Sequence, residues 1–207
     1  MIISQRSRCM NTKEKILNEA LSLFAEKGYD GTSVEQIAAL VGIKAPSLYK
    51  HFKGKEDILN SIIDIAEKRY EENFGSEDHT GKIPDSIEEF IQMSTRRTSF
   101  TIHDPMIRKI RIFLVKEQFR NERLAKINTG HQIDGPKKLY VKIIEGMMKK
   151  KLFRKNDPEM MAMEFISPVS LLIAKADREA DADKEEIMKM IESHLRHLCD
   201  LYGDDSR

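Results

Sequence analysis

Apolar residues recur along this chain at intervals of three and four, the spacing that lines one side of an α-helix. Between residues 13 and 27 they are Ile16, Leu17, Ala20, Leu21, Phe24 and Ala25. Thr12 is placed to cap this helix and Gly28 to end it. A second, short helix opens at Thr32 or Ser33, with Glu35 or Gln36 positioned for a capping box, and turns Ile37, Ala38 and Val41 inward. Gly42 permits a turn. Pro46 sits in the first turn of a third helix, where its missing N–H costs nothing, and Leu48 and Phe52 anchor that helix. Gly54 ends it, and a fourth helix runs from residue 55 to about 74. Residues 75–85 read as a loop.

Longer helical patterns follow over 85–103, over 105–121 with a break inside it, and over 134–151. Asp157-Pro158 starts another through residue 176, with a kink expected at Pro168, and the last spans 183–201. With only 10 Gly, 6 Pro and few β-branched runs, the chain reads as all-α. The expected layout is an arm over 1–11, a three-helix domain over 12–57, and a larger C-terminal helical domain over 58–207.

Charge sharpens this picture. Lys+Arg is 35 and Asp+Glu 34, a formal net charge of +1, so a generally polycationic nucleic-acid binder is excluded. A local patch is not. From residue 44 to 55 the chain carries Lys44, Lys50, Lys53, Lys55 and His51 with no acid. Positive charge concentrated at one place is what a phosphate-binding surface requires.

Other chemistry is sparse. Cys9 and Cys199 stand near opposite ends outside any metal-ligand pattern, which fits a reducing cytosol rather than a disulfide framework. The first residues, MIISQRSRC, lack the apolar region of a signal peptide, and no apolar run approaches a membrane span. These features predict a cytoplasmic protein with no membrane association. His194 and His197 are spaced like a metal pair but have no third ligand nearby, so they are read as a solvated face. No metal, cofactor or catalytic residue is expected. There is no P-loop, HExxH, GxSxG or GxGxxG motif to support an enzyme.

A helix-turn-helix needs a small residue midway along its first helix, a glycine in the turn and apolar pins beneath. Ala38, Gly42 and the set Ile37, Val41, Ile43, Leu48 and Phe52 meet these needs. The second helix then lies in the major groove with its first residues at base edges. Here those are Lys44, Ala45 and Ser47. Tyr49 and His51 are expected on phosphate oxygens, with Lys50 shared between base edge and backbone. Lys55, at a helix N-terminus, and Thr32 or Ser33 are placed to hold phosphates as well. Glu35 is expected to face away from them.

Thr12 to Leu59, TKEKILNEALSLFAEKGYDGTSVEQIAALVGIKAPSLYKHFKGKEDIL, resembles the N-terminal domain of the TetR family of transcriptional repressors. The segments AxxLFAEKGY, TSVEQIA, the turn GI and SLYKHFKGKEDIL carry the likeness, over about a quarter of the chain. The resemblance implies that Ser47, Tyr49, Lys50, His51 and Lys55 contact DNA. Ala45 stands where the family often has a base-reading side chain. It also implies a homodimer on a palindromic double-stranded operator and an effector pocket in the helical remainder.

For the dimer interface the stripe Ile187, Ile191, Leu195, Leu198 and Tyr202 is the candidate, with Met161, Val169 and Leu172 from the preceding helix. Phe165 and Ile173 also lie on that helix. Phe100, His103, Phe113, Phe119, Tyr140, Met147 and Phe165 are candidates to line the pocket of an unidentified, largely apolar effector. Aromatic and methionine residues at such spacing also serve as plain core. The expected function is a ligand-released repressor. A helical interaction module, or a regulator without an effector, is the alternative.

Overall fold

The computed structural model describes residues 10–74, 82–179 and 181–204. Most of the arm expected over 1–11, Cys9 included, and most of the 75–85 loop lie outside the described residues. The helices are α1 (Thr12–Lys27), α2 (Val34–Val41), α3 (Ala45–Leu48), α4 (Lys55–Phe74), α5 (Ile87–His103), α6 (Pro105–Glu117), α7 (Glu122–Thr129), α8 (Gly135–Lys149), α9 (Pro158–Arg178) and α10 (Lys184–Tyr202). A π-helical turn, Gly130–Asp134, joins α7 to α8. No β-strand occurs among the described residues, whose one isolated bridge pairs Phe153 with Gly203. The chain forms two compact units, Met1–Glu67 and Lys68–Arg207, divided within α4 rather than at its start.

In the first unit, α1 begins at Thr12 itself, one residue earlier than expected. Asn11, not Thr12, caps it: Asn11 Oδ1 accepts from the Glu14 N–H at 2.9 Å, and the Glu14 carboxylate accepts from the Asn11 N–H at 3.0 Å. Both orphan donors are thereby satisfied. Ser33 caps α2 in the same reciprocal way with Gln36. α2 ends at Gly42, whose φ of 78° is left-handed, and the Ile43 N–H reaches back to Ala38 O at 2.9 Å. A side chain at residue 42 would strain that closure. Ile16, Leu21, Phe24, Ile37, Leu48, Phe52, Ile58 and Ile62 form the buried centre of this unit.

In the second unit, α8, α9, α10 and α5 pack around Phe90, Ile143, Met147, Phe153, Met161, Phe165, Ile187, Ile191 and Leu195. The 105–121 pattern resolves into α6 and a turn, and α7 is a helix the apolar spacing did not reveal. Its sequence, ERLAKINT, offers only Leu124 and Ile127 as large apolar residues. The π-helical turn has a local cause. Pro136 cannot donate in the first turn of α8, and the Gly135 N–H bonds to Gly130 O five residues back.

α9 runs as one helix through Pro168. A proline leaves the carbonyl four residues earlier without its helical donor. Here that carbonyl, Glu164 O, faces His194 Nε2 of α10 at 3.0 Å. His194 is therefore not on a solvated face, as its spacing from His197 suggested. In the Nε2–H tautomer it supplies the donor that Pro168 lacks.

Candidate functional site

α3 is short because its backbone tightens after Leu48. Tyr49 N still reaches Ala45 O, four back, but Lys50 N and His51 N reach Ser47 O and Leu48 O, three back. The segment 45–51 thus makes nearly two turns. One side carries Leu48 and Phe52, 0% and 2% exposed, into the core of the first unit. Lys13 Nζ covers the Phe52 ring at 5.4 Å. The other side presents Tyr49, half of whose surface is exposed, with exposed Lys50, His51 and Lys53. Ala45 and Ser47 are half-buried beside them, and Lys44 is exposed. Among the described residues, the side chains of Lys44, Tyr49, Lys50 and His51 make no hydrogen bond or ion pair. Of the next two acids in sequence, Glu56 and Asp57, Asp57 accepts from the Lys53 N–H at 2.8 Å. This surface holds donors and positive charge with nothing internal to satisfy them, the condition for meeting a polyanion.

Two expected phosphate ligands sit differently. Thr32 is only 2% exposed, and its hydroxyl donates to Gly28 O at 2.9 Å. Lys55 turns its ammonium inward. It donates to Tyr29 O at 2.7 Å and Thr32 O at 3.0 Å, and lies 4.3 Å from the centre of the Tyr29 ring. Lys55 therefore clamps the α1–α2 turn to the start of α4. In that turn, Gly31 leaves no room for a Cβ, which would lie 2.5 Å from Lys27 O. Lys55→Met is expected to lower the stability of this unit by about 1–3 kcal/mol, because two carbonyls lose a charged donor. A urea melt reads that loss. Ser33 spends its hydroxyl on the α2 cap. Glu35 is exposed, and its carboxyl is held below the usual range by its own backbone N–H and then by the Ser33 hydroxyl.

The effector candidates separate into three environments. Phe113, Met147 and Phe165 are 1%, 0% and 1% exposed and belong to the core. Phe165 sits 5.1 Å from Phe90 edge-on and stacks with Tyr140 at 6.4 Å. Phe119 is 90% exposed at the α6–α7 turn and lines nothing. His103 is exposed, with Nδ1 2.8 Å from Ser99 O. Phe100 and Tyr140 remain half-buried. Phe100 meets Tyr70 and Phe74 edge-on at 5.4 and 5.3 Å. Two surface concavities, of about 440 and 400 Å3, are lined by other residues, chiefly of α10.

The dimer stripe also needs correcting. Met161, Ile187, Ile191, Leu195 and Leu198 are buried within one chain. Tyr202 is half-buried, with its hydroxyl on the Glu164 carboxylate. The apolar surface left over lies one face around: Met160 and Leu171 on α9, Met190 and Leu201 on α10, all 48–65% exposed. Between residues 167 and 174, Pro168, Val169, Leu171, Leu172, Ile173 and Ala174 include no buried residue. The all-round apolar run in the sequence was the signal for this. Among the described residues no three His, Cys, Asp or Glu gather as metal ligands, and no helix is long and apolar enough to cross a membrane.

Residues 16–62 match the family model of bacterial regulatory proteins, tetR family. The chain is 28% identical over 151 residues to the biofilm operon icaADBC HTH-type negative transcriptional regulator IcaR of Staphylococcus epidermidis, covering 58% of this chain and 82% of that one. To IcaR of Staphylococcus aureus it is 54% identical over 51 residues, 25% of this chain and 27% of that one. The solved SmeT–triclosan complex has a TM-score of 0.75 and covers 94% of this chain and 93% of that one, at 18% identity. SmeT is the repressor of the Stenotrophomonas maltophilia multidrug efflux pump SmeDEF. At that identity the likeness establishes the helical fold.

Proposed function

We propose that this chain, whose residues 16–62 match the tetR family model, is a TetR-type repressor holding a palindromic operator as a homodimer and released by a small effector. The observation that carries this reading is the outward side of residues 44–51. Its Lys, Tyr and His side chains have no partners among the described residues and no acid among them. Lys44, Ala45 and Ser47 read base edges, while Tyr49, Lys50 and His51 grip phosphates. The named role of IcaR as a negative regulator supports repression. The SmeT complex with triclosan supports an apolar effector.

One recognition segment reads only a few base pairs, so a two-fold pair on a palindrome supplies the remaining contacts. The α9–α10 face of Met160, Leu171, Met190 and Leu201 is the surface that pairs. Leu171→Asp is expected to give a folded monomer, since an exposed substitution changes chain stability by only about 0.5 kcal/mol. Sedimentation of wild type and variant tests this; an unchanged dimer would reject the face.

α4 is the element present in both units. An effector in the second unit acts on the operator only through different affinities for two positions of this helix. Footprinting on the DNA upstream of the gene tests the whole reading. A protected palindrome is the expected result, and an unprotected upstream region would reject it.

A further inference from the structure

Four arginines of the second unit are half-buried: Arg69, Arg97, Arg108 and Arg111. Three reach a carboxylate. Arg69 pairs with Asp104, Arg111 forks onto Asp177 at 2.6 and 3.0 Å, and Arg108 lies 3.2 Å from the same Asp177. Arg97 has no acidic partner among the described residues. Its guanidinium lies 4.6 Å from the centre of the Phe74 ring, Nη2 makes one long bond of 3.3 Å to Phe74 O, and Nε is buried with no acceptor. A half-buried cation without a counter-charge is costly, and burial pulls the Arg97 pKa down accordingly.

The groups around it are donors as well. Ser94, one turn earlier on α5, is wholly buried, and among the described residues its hydroxyl has only the Tyr140 hydroxyl close by. The Tyr140 hydroxyl lies near both Ser94 and Arg97. On the other side the surroundings are aromatic, with Phe74 against Phe100 and Tyr70. We propose that Arg97 anchors the acidic group of the effector, which is an amphipathic carboxylate with an apolar body.

This deepens the effector reading above and rests on it. The free Nε and loosely held Nη2 form the edge of the guanidinium that grips a carboxylate with two parallel bonds. Ser94 and Tyr140 add neutral donors, and the Phe74, Phe100 and Tyr70 rings take the hydrocarbon. A single cation matches a singly charged carboxylate better than a phosphate dianion. Phe74 is the last residue of α4. A carboxylate on the Nε–Nη2 edge competes with the bond to Phe74 O, and so changes what holds the end of that helix. No acid lies three or four positions from Arg97 in sequence, but the same holds of Arg111, which pairs with Asp177, so spacing alone does not mark this residue.

The test compares 4-phenylbutyrate and decanoate, each with its primary amide, by calorimetric titration of the full-length protein. The acids are expected to bind roughly tenfold or more tighter than the amides, from the loss of a charge-assisted pair. Arg97→Gln should erase that difference, Arg97→Lys should keep part of it, and Ser94→Ala should reduce it. Should Arg97→Gln fail to fold, the Arg97 Nε–H resonance of the labelled wild type still decides, because it must move with the acid and not with the amide. Equal binding of acid and amide, an acid preference that survives in Arg97→Gln, or no binding of either acid overturns the proposal. If a neutral apolar compound then still frees the operator, only the anchor is lost. If no compound of either kind frees it, the effector reading falls too.

Discussion

Tyr49→Ala combined with Lys50→Ala is expected to weaken operator binding by about a hundredfold or more while leaving the melting temperature unchanged. Each side chain contributes a hydrogen bond to a charged phosphate, worth about 1.5–3 kcal/mol, and 1.4 kcal/mol is a factor of ten. Tyr49 is half exposed and Lys50 exposed, and neither side chain bonds to any of the described residues, so the fold loses nothing. Loss of the Lys50 charge should also reduce the slope of log affinity against log salt by about 0.9 per protomer, or about 1.8 for the dimer. Lys55→Met should behave in the opposite way, with a lower melting temperature and an unchanged salt slope, because its ammonium is spent on Tyr29 O and Thr32 O. A steep salt dependence that survives the double variant would remove this surface from the DNA contact.

Phe165→Ala carries the largest expected effect on stability. Phe165 is 1% exposed among Phe90, Tyr140 and Phe153. Removing a buried phenyl costs about 3–5 kcal/mol in lost transfer energy and residual cavity. Domains are stable by only about 5–15 kcal/mol, so the second unit would be marginal. Phe119→Ala, at 90% exposure, should shift stability by no more than about 0.5 kcal/mol. Chemical denaturation of the two variants distinguishes them at once. Comparable small losses would mean that Phe165 lines a cavity after all.

These two phenylalanines show where reading the chain reached its limit. Both stand at helical spacing, and both looked suited to an effector pocket. Periodicity says that a residue shares a side of its helix with others. It does not say whether that side meets another helix, a ligand or water. The same ambiguity moved the dimer face: the stripe Ile187, Ile191, Leu195 and Leu198 has the right interval, but the core of its own chain takes it first. In the first unit, local rules went further. Asn11 displaced Thr12 as a cap by one position, while Ser33, Gly42 and Pro46 act within a turn of where they stand in sequence.

The amino-acid order alone determined the helical class, the turn at Gly42, the acid-free cationic segment and the match of residues 16–62 to the tetR family model, because each depends on neighbours within a few residues. Only the three-dimensional packing decided that Lys55 faces inward to Tyr29, that His194 serves the carbonyl freed by Pro168, and that Arg97 has no counter-charge among the described residues. Those outcomes join positions 26, 30 and 23 residues apart. A contact at such separation depends on how helices cross, and the spacing along any one helix carries no record of that.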